Sequence, residues 1–290
     1  MSAVKVLVTG ATGFIGNYVI HELLKHNVEI IATARSKEHA SGNDWFQHVQ
    51  FISFDFTNFN ASENYFEYFN KPDIVIHLAW QGLPNYKSDF HLTENLPRQF
   101  AFLQNIIKHG LKSLTVTGTC FEYGMKQGIL SEDMDTEPAN PYAKAKDELR
   151  KQLTELKKQN DFSFKWVRLF YMYGKGQNPN SLFSQLDRAI ENKDEIFNMS
   201  GGEQIRDFLP VEKVAENIVS IALQNNVEGI INCCSGTPVR IKDLVKEYAE
   251  SKNSSIKFNL GYYPYPDYEP MEFWGSTEKL NKVKAYSQHH

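Results

Sequence analysis

Two residues four apart, Tyr142 and Lys146 in the segment NPYAKAKDELR at 140–150, could carry out proton transfer. On a helix that spacing puts both on one face, a turn from each other. An ammonium beside a phenol favours the phenolate. The tyrosine pKa, ordinarily about 10, is therefore expected to move toward neutrality, where the group works as acid or base. Pro141 suits the first turn of such a helix. The same spacing also describes a surface tyrosine beside a solvated lysine, so the pair means little without a site around it.

A second stretch, VTGATGFIG at 8–16, sets Gly10, Gly13 and Gly16 three residues apart behind the apolar run 4–8. Glycine accepts positive φ and lets a backbone or a ligand come close. Peptide N–H groups at a helix start are unpaired and lie at the positive end of the helix dipole, so the expected visitor is a phosphate or pyrophosphate. Phe14, Ile15, Val19, Ile20, Leu23 and Leu24 then recur at helical spacing, which supplies the strand, turn and helix that such a site needs. Without a ligand, the triplet would serve only a tight turn and close helix packing.

These residues need a scaffold, and the chain alternates strand-like and helix-like segments. Apolar runs at 4–8, 28–33, 49–54, 74–78, 114–116, 162–169 and 230–233 predict strands, and helical patterns cover 13–26, 92–109, 141–159, 211–224 and 241–251. That alternation implies an α/β protein with a parallel sheet covered on both faces. Open sheets of this kind bind ligands beyond the carboxyl ends of their strands, so residues that follow each run matter most.

After the second run, Arg35 and Lys37 stand in a segment, 30–37, that has no acid. An acid there would bond a ribose 2′-hydroxyl, whereas an arginine accommodates a 2′-phosphate, so NADP is expected over NAD. A solvated charge pair in a surface loop is the other reading. Asp55 closes the third run and could accept an adenine amino group or cap the next turn with Asn58. The segment LGYYPYPDYEP at 260–270 cannot be regular helix and is either a solvated connection or part of a substrate lid.

Composition excludes several classes. With 290 residues, 41% apolar, 23% charged and a net charge of −4, the chain reads as an ordinary globular protein. It has no basic block for a nucleic acid and no run of 18 apolar residues for a bilayer. A charged and apolar leader is not seen, so a cytoplasmic location is expected. Three cysteines, two of them adjacent, do not suggest a disulfide framework, and no metal site is expected. His289 and His290 resemble the start of a purification tag and are set aside.

With the glycine turn, HLAW at 77–80, the segment TCFEYG at 119–124 and the Tyr142/Lys146 pair in this order, the sequence resembles the extended short-chain dehydrogenase/reductase family, the NAD-dependent epimerase/dehydratase group. VRLFYMYG at 167–174, GGEQIRDFLPVEKVAENI at 201–218 and CCSGTPVRIKDLV at 233–245 extend the resemblance over nearly the whole chain. It implies a Rossmann-type doubly wound sheet, residues 1–170 with 209–235 returning to it, and a smaller substrate-binding portion, 171–208 and 236–288. It further implies Tyr142 as acid/base, Lys146 on the nicotinamide ribose and lowering the tyrosine pKa, and Thr119 hydrogen-bonding the reacting oxygen. Gly10, Thr12, Gly13, Phe14, Ile15 and Gly16 would hold the cofactor with Arg35, Asp55, Phe56, Leu78 and Ala79. Asn95 would be the family's frequent helix asparagine. Trp80, Cys120, Tyr171, Asn180 and Arg206 would face a nucleotide sugar, with Arg206 clamping its diphosphate. A homodimer through the helices 92–109 and 141–159 is implied as well.

Departures from the family pattern narrow the chemistry. Sugar dehydration needs an acid and a base after the catalytic threonine, where this chain has Cys120 and Phe121. Cys120 is also one place away from the reactive cysteine of epimerases acting at carbons 3 and 5, and is assigned to packing. Pro210 and Tyr171 replace a histidine and an asparagine frequent in the family. The expected activity is therefore NADPH-dependent reduction of a nucleotide-linked 4-keto-6-deoxyhexose, with NAD-dependent 4-epimerisation as the alternative. A non-catalytic cofactor sensor is a third reading, which has no need of Thr119, Tyr142 and Lys146 together.

Overall fold

The computed structural model describes residues 3–267 and 269–287. Tyr268, His289 and His290 lie outside the described residues.

Seven parallel strands form one sheet in the spatial order Gly229–Cys233, Ser163–Leu169, Ser113–Thr119, Ile74–His77, Val4–Thr9, Val28–Ala34 and Gln50–Ser53. The chain builds outward from Val4–Thr9 to one edge, then crosses back to place Ile74–His77 on the other side of that strand. This reversal opens a crevice at the carboxyl ends of Val4–Thr9 and Ile74–His77, the place where such sheets take ligands. The fold is a Rossmann-type α/β architecture, as the sequence implies.

Strand alternation divides the core in two. Val6, Val8, Ile30, Ala32, Ile74, Ile76, Val167 and Ile231 point to one face, where the helices Phe14–Leu23 and Val211–Leu223 cover them. Leu7, Ile31, Val75, Leu114, Val116, Phe164 and Trp166 point to the other, beneath Leu96–Lys108 and Pro141–Lys157. Successive side chains of a strand face opposite ways, so both layers follow from unbroken apolar runs. Leu280 and Val283 of the final helix Glu278–Ser287 also pack into the first face.

Two elements differ from the sequence expectation in ways that matter. The strand read as 114–116 runs Ser113–Thr119, and its extra residues carry Thr119 to the ligand end of the sheet. The helix read from 92 begins as a wider π-helical turn, His91–Asn95, before the α-helix Leu96–Lys108. Wider turns of this kind are frequent at functional sites, and this one brings His91 and Asn95 inward, both buried. Beyond the sheet, helices Leu182–Glu191 and Ile241–Ser251 enclose a small separate core of Leu186, Phe197, Met199 and Val245.

Candidate active site

The three glycines have separate reasons. Gly10 has φ +70° and a Cβ there would sit 3.0 Å from the Ala79 amide nitrogen. A Cβ on Gly16 would overlap the Gly10 carbonyl oxygen, so the helix can enter this close only without one. Gly13 meets nothing except that same carbonyl, at 3.2 Å, and is exposed. Its bare face is the cradle that a diphosphate requires at a helix start, and the residues present fit a dinucleotide.

Behind the turn, the Thr9 hydroxyl lies 2.9 Å from His77 Nδ1 and accepts the amides of Leu78 and Ala79 at 3.2 and 3.3 Å. With two donors already aimed at its oxygen, the hydroxyl donates to the ring nitrogen. Burial pushes the His77 pKa down to about 3, and the Lys146 charge adds to this. The imidazole is therefore a neutral strut that fixes the loop after the strand Ile74–His77.

A cleft of about 520 Å³ joins the glycine turn to the proton-transfer residues. Gly10, Gly13, Phe14, Ile15, Gly16 and Leu78 line one end, and Trp80, Tyr86, Thr119, Cys120, Phe121, Tyr142 and Tyr171 line the other. None of its lining side chains among the described residues is charged. Tyr142 follows the Asn140 cap, whose side chain accepts the Ala143 amide at 2.9 Å, and the Tyr142 amide donates to the Tyr86 carbonyl at 3.1 Å. Thr119 lines the same part of the cleft as Tyr142, and its side chain favours the ionised phenol.

The phenol behaves differently from the sequence expectation. Its pKa is raised, with burial the largest cause, followed by Tyr86, Glu122 and Cys120, and the Thr119 side chain pulls it down. The reason is where Lys146 points. The lysine is 2% exposed; its Nζ donates to the Thr117 carbonyl at 2.8 Å and lies 4.1 Å from the centre of the Trp80 ring. Burial pushes the Lys146 pKa down to about 7, against an upward pull from Glu122.

Several other residues sit elsewhere than the resemblance implies. Arg206 is wholly buried and outside the cleft lining. Its guanidinium donates to the carbonyls of Ile205, Met271 and Pro270 at 2.9, 3.1 and 2.7 Å and pairs with Glu269 at 3.0 Å. It therefore anchors the end of the Tyr/Pro-rich segment, whose Tyr262 and Tyr263 are exposed. Asn180 is exposed, with its carbonyl taken by Gln185, while Gln177 and Asn178 line the cleft instead. Phe56 is buried in an aromatic cluster with Phe54, His77 and Phe102. Thr12 and Ala79 are partly buried and not in the cleft lining.

Asp55 accepts the Thr57 amide at 2.9 Å, a cap that holds its pKa low, and shares a surface pocket with Arg35, which is exposed. Cys120 lines the cleft, but burial raises its thiol pKa, so it stays protonated beside Phe170, Cys234 and Phe273. Asn95 is more than a polar helix position, since its amide reaches the Gln81 carbonyl at 2.8 Å and His91 at 3.3 Å.

Glu122, Arg168 and His91 are the residues that the sequence reading passed over. Arg168, like Lys165, sits inside the strand SFKWVRL, and a charge in a largely apolar run implies a buried partner. That partner is Glu122, 2.7 Å from Arg168 Nε.

A strand-turn-glycine cradle and a paired threonine and tyrosine in one cleft define a dinucleotide-dependent enzyme fold. Residues 6–234 match the family model "NAD dependent epimerase/dehydratase family", and the chain belongs to that family. A protein of Aggregatibacter actinomycetemcomitans, dTDP-6-deoxy-L-talose 4-dehydrogenase (NAD(+)), is 28% identical over 272 residues, 93% of this chain and 99% of the relative. The UDP-glucose 4-epimerase of Pisum sativum is 25% identical, over 97% of this chain and 90% of its own. Among solved structures, a UDP-N-acetylglucosamine 4-epimerase from Methanobrevibacter ruminantium M1 shares the fold, with a TM-score of 0.84 at 20% identity, over 98% and 92% of the two chains. No helix among the described residues is long and apolar enough to cross a membrane.

Proposed function

We propose that this chain exchanges hydride at carbon 4 of a nucleotide-diphosphate-linked 6-deoxyhexose, reducing the 4-ketone to the alcohol. The observation that carries this reading is that Thr119 and Tyr142 line one cleft whose far end is the glycine turn. When bound at that turn, a nicotinamide dinucleotide supplies the hydride. Tyr142 donates the proton that the new alkoxide needs and recovers it from solvent, and Thr119 holds the reacting oxygen against it. The raised phenol pKa suits a proton donor, since the group stays protonated until a substrate oxygen takes the proton. Lys146, one helical turn away, assists ionisation of the phenol only where its ammonium turns toward the site, and in the ligand-free protein it faces the Thr117 carbonyl and Trp80 instead.

Two further observations support the substrate class. The 28% identical relative is named as a 4-dehydrogenase, whose reaction is this same transfer run in the opposite direction. The uncharged, aromatic wall around Tyr142 suits a methyl at carbon 6 better than a carboxylate. An NADP(H) preference rests on Arg35 and Lys37 in a segment without an acid, and the NAD(+) dependence of the 28% identical relative lends it no support. Under the same reading the chain is cytoplasmic and forms a homodimer through the helices 92–109 and 141–159.

The test is incubation with NADPH or NADH and dTDP-, CDP- and GDP-linked 4-keto-6-deoxyhexoses, following the absorbance of the reduced cofactor. Loss of absorbance with one of them supports the proposal. Silence across the panel, with interconversion of UDP-sugars at carbon 4, overturns it in favour of an epimerase.

A further inference from the structure

One stretch of chain, 80–86, supplies Trp80, Leu83, Pro84 and Tyr86 to the cleft lining. It meets the proton donor at both of its ends. The Trp80 and Tyr86 rings lie 6.1 and 5.5 Å from the Tyr142 ring, centre to centre, and the Tyr86 carbonyl accepts the Tyr142 amide at 3.1 Å. Between those ends, Gly82, Leu83, Pro84 and Asn85 are exposed. An exposed loop has little apolar burial to hold it, so its shape depends on hydrogen bonds to something rigid.

The rigid partner is His91, wholly buried at the start of the π-helical turn His91–Asn95. Its Nε2 lies 2.9 Å from the Asn85 carbonyl, a contact that only an N–H can make. Its Nδ1 accepts Trp80 Nε1–H at 3.1 Å. The Asn95 amide, which donates to the Gln81 carbonyl at 2.8 Å, approaches the same nitrogen at 3.3 Å. Donors on Nδ1 and an acceptor on Nε2 admit one form of the ring, neutral and with its proton on Nε2. Burial pushes the His91 pKa down, in keeping with that form. The stretch also packs on the ring that holds it. The Trp80 and His91 rings lie within 22° of parallel, and a Cβ on Gly82 would stand 3.3 Å from His91 Cε1.

We propose that His91 is the positioning residue for this wall of the cleft. In one tautomer it ties Trp80, where the stretch begins, to Asn85 in its exposed middle, and so fixes the face offered to the sugar. That a sugar sits there rests on the hydride-transfer reading above, whereas the hold itself does not. Loss of the ring frees the indole and the loop together. Glutamine carries an acceptor and a donor on one amide and can keep both ties.

The experiment has two readouts, both on the whole protein. In the ligand-free state, nitrogen NMR of the imidazoles should show His91 as the Nε2–H tautomer, its resonance identified by its loss in His91→Gln. The Trp80 indole N–H, identified by its loss in Trp80→Phe, should exchange with water about tenfold faster in His91→Leu and within about threefold of wild type in His91→Gln. In turnover of the 4-keto-6-deoxyhexose nucleotide, His91→Leu should raise KM for that substrate about tenfold, with kcat and KM for the cofactor within about threefold, and His91→Gln should restore the lost affinity. A residue that merely supports the fold would not separate KM from kcat in this way. The tautomer is read on wild type, so it tests the hold even where His91→Leu does not fold. An Nδ1–H tautomer overturns the proposal, as does either readout left unmoved in His91→Leu with turnover intact. Faster indole exchange in a protein that turns over none of the panel supports the hold and removes the reaction reading instead.

Discussion

Glu122 accepts the Thr119 amide at 2.9 Å, so the threonine that lines the cleft beside Tyr142 is itself held by a wholly buried carboxylate. The same carboxylate takes Trp166 Nε1 at 3.0 Å and Arg168 Nε at 2.7 Å. Arg168 in turn lies 4.3 Å over the Tyr123 ring. Removing one member leaves the other's charge buried and uncompensated, a loss of about 3–5 kcal/mol, whereas replacing both with apolar shapes is often close to neutral. Glu122→Gln is therefore expected to destabilise by that amount in urea denaturation. The double variant Glu122→Gln with Arg168→Met should recover at least half of it. Additive losses in the double variant would show that the pair is not the source of the effect.

Tyr142→Phe keeps the ring contacts with Trp80, Tyr86 and His91 but removes the proton. Turnover should fall by roughly 10²–10⁴ with cofactor affinity retained, as measured by protein fluorescence quenching. Thr119→Ala should cost less, since the phenol remains. A Tyr142→Phe protein with unchanged kcat would falsify the proton-donor role.

Gly13 and Gly16 should respond differently to alanine. At Gly16 the added carbon overlaps backbone and nothing can yield, so Gly16→Ala should lower the melting temperature by several degrees, at roughly 2–4 °C per kcal/mol for a chain of this size. At Gly13 the nearest atom is 3.2 Å away, a tight contact rather than an overlap, so Gly13→Ala should cost less stability than Gly16→Ala and weaken cofactor binding. Equal melting temperatures for the two variants would contradict this division.

His77 predicts an acid-side loss of stability. Its folded pKa, about 3, lies below the unfolded value near 6.5. Between those values the unfolded chain binds a proton that the folded chain refuses, so stability is complete above the unfolded pKa and falls as pH drops below it, by about 1.4 kcal/mol per unit. His91, also lowered by burial, acts in the same direction. Denaturation midpoints measured from about pH 7 to about pH 5 should fall steadily, and His77→Gln should reduce the slope by one proton.

Arg35 is exposed, and no acid stands within 30–37. If it receives a 2′-phosphate, Arg35→Ala should raise KM for NADPH by about tenfold, the worth of roughly 1.4 kcal/mol, and leave KM for NADH alone. A wild-type preference for NADH of tenfold or more removes the 2′-phosphate role.

The sequence by itself determined the alternation that builds the sheet, the glycine turn at its switch point, and the single helix face shared by Tyr142 and Lys146. Each is local, since strand period, backbone freedom and helical spacing operate within a few residues. Only the tertiary structure decided what those side chains face. Lys146 meets Trp80 and Thr117, Arg206 meets Glu269 from 63 residues away, and Asn180 stays in solvent while Asn178 lines the cleft. The phenol's raised pKa has the same origin. Proton affinity depends on burial and on neighbouring charge, and segments distant in the chain supply both.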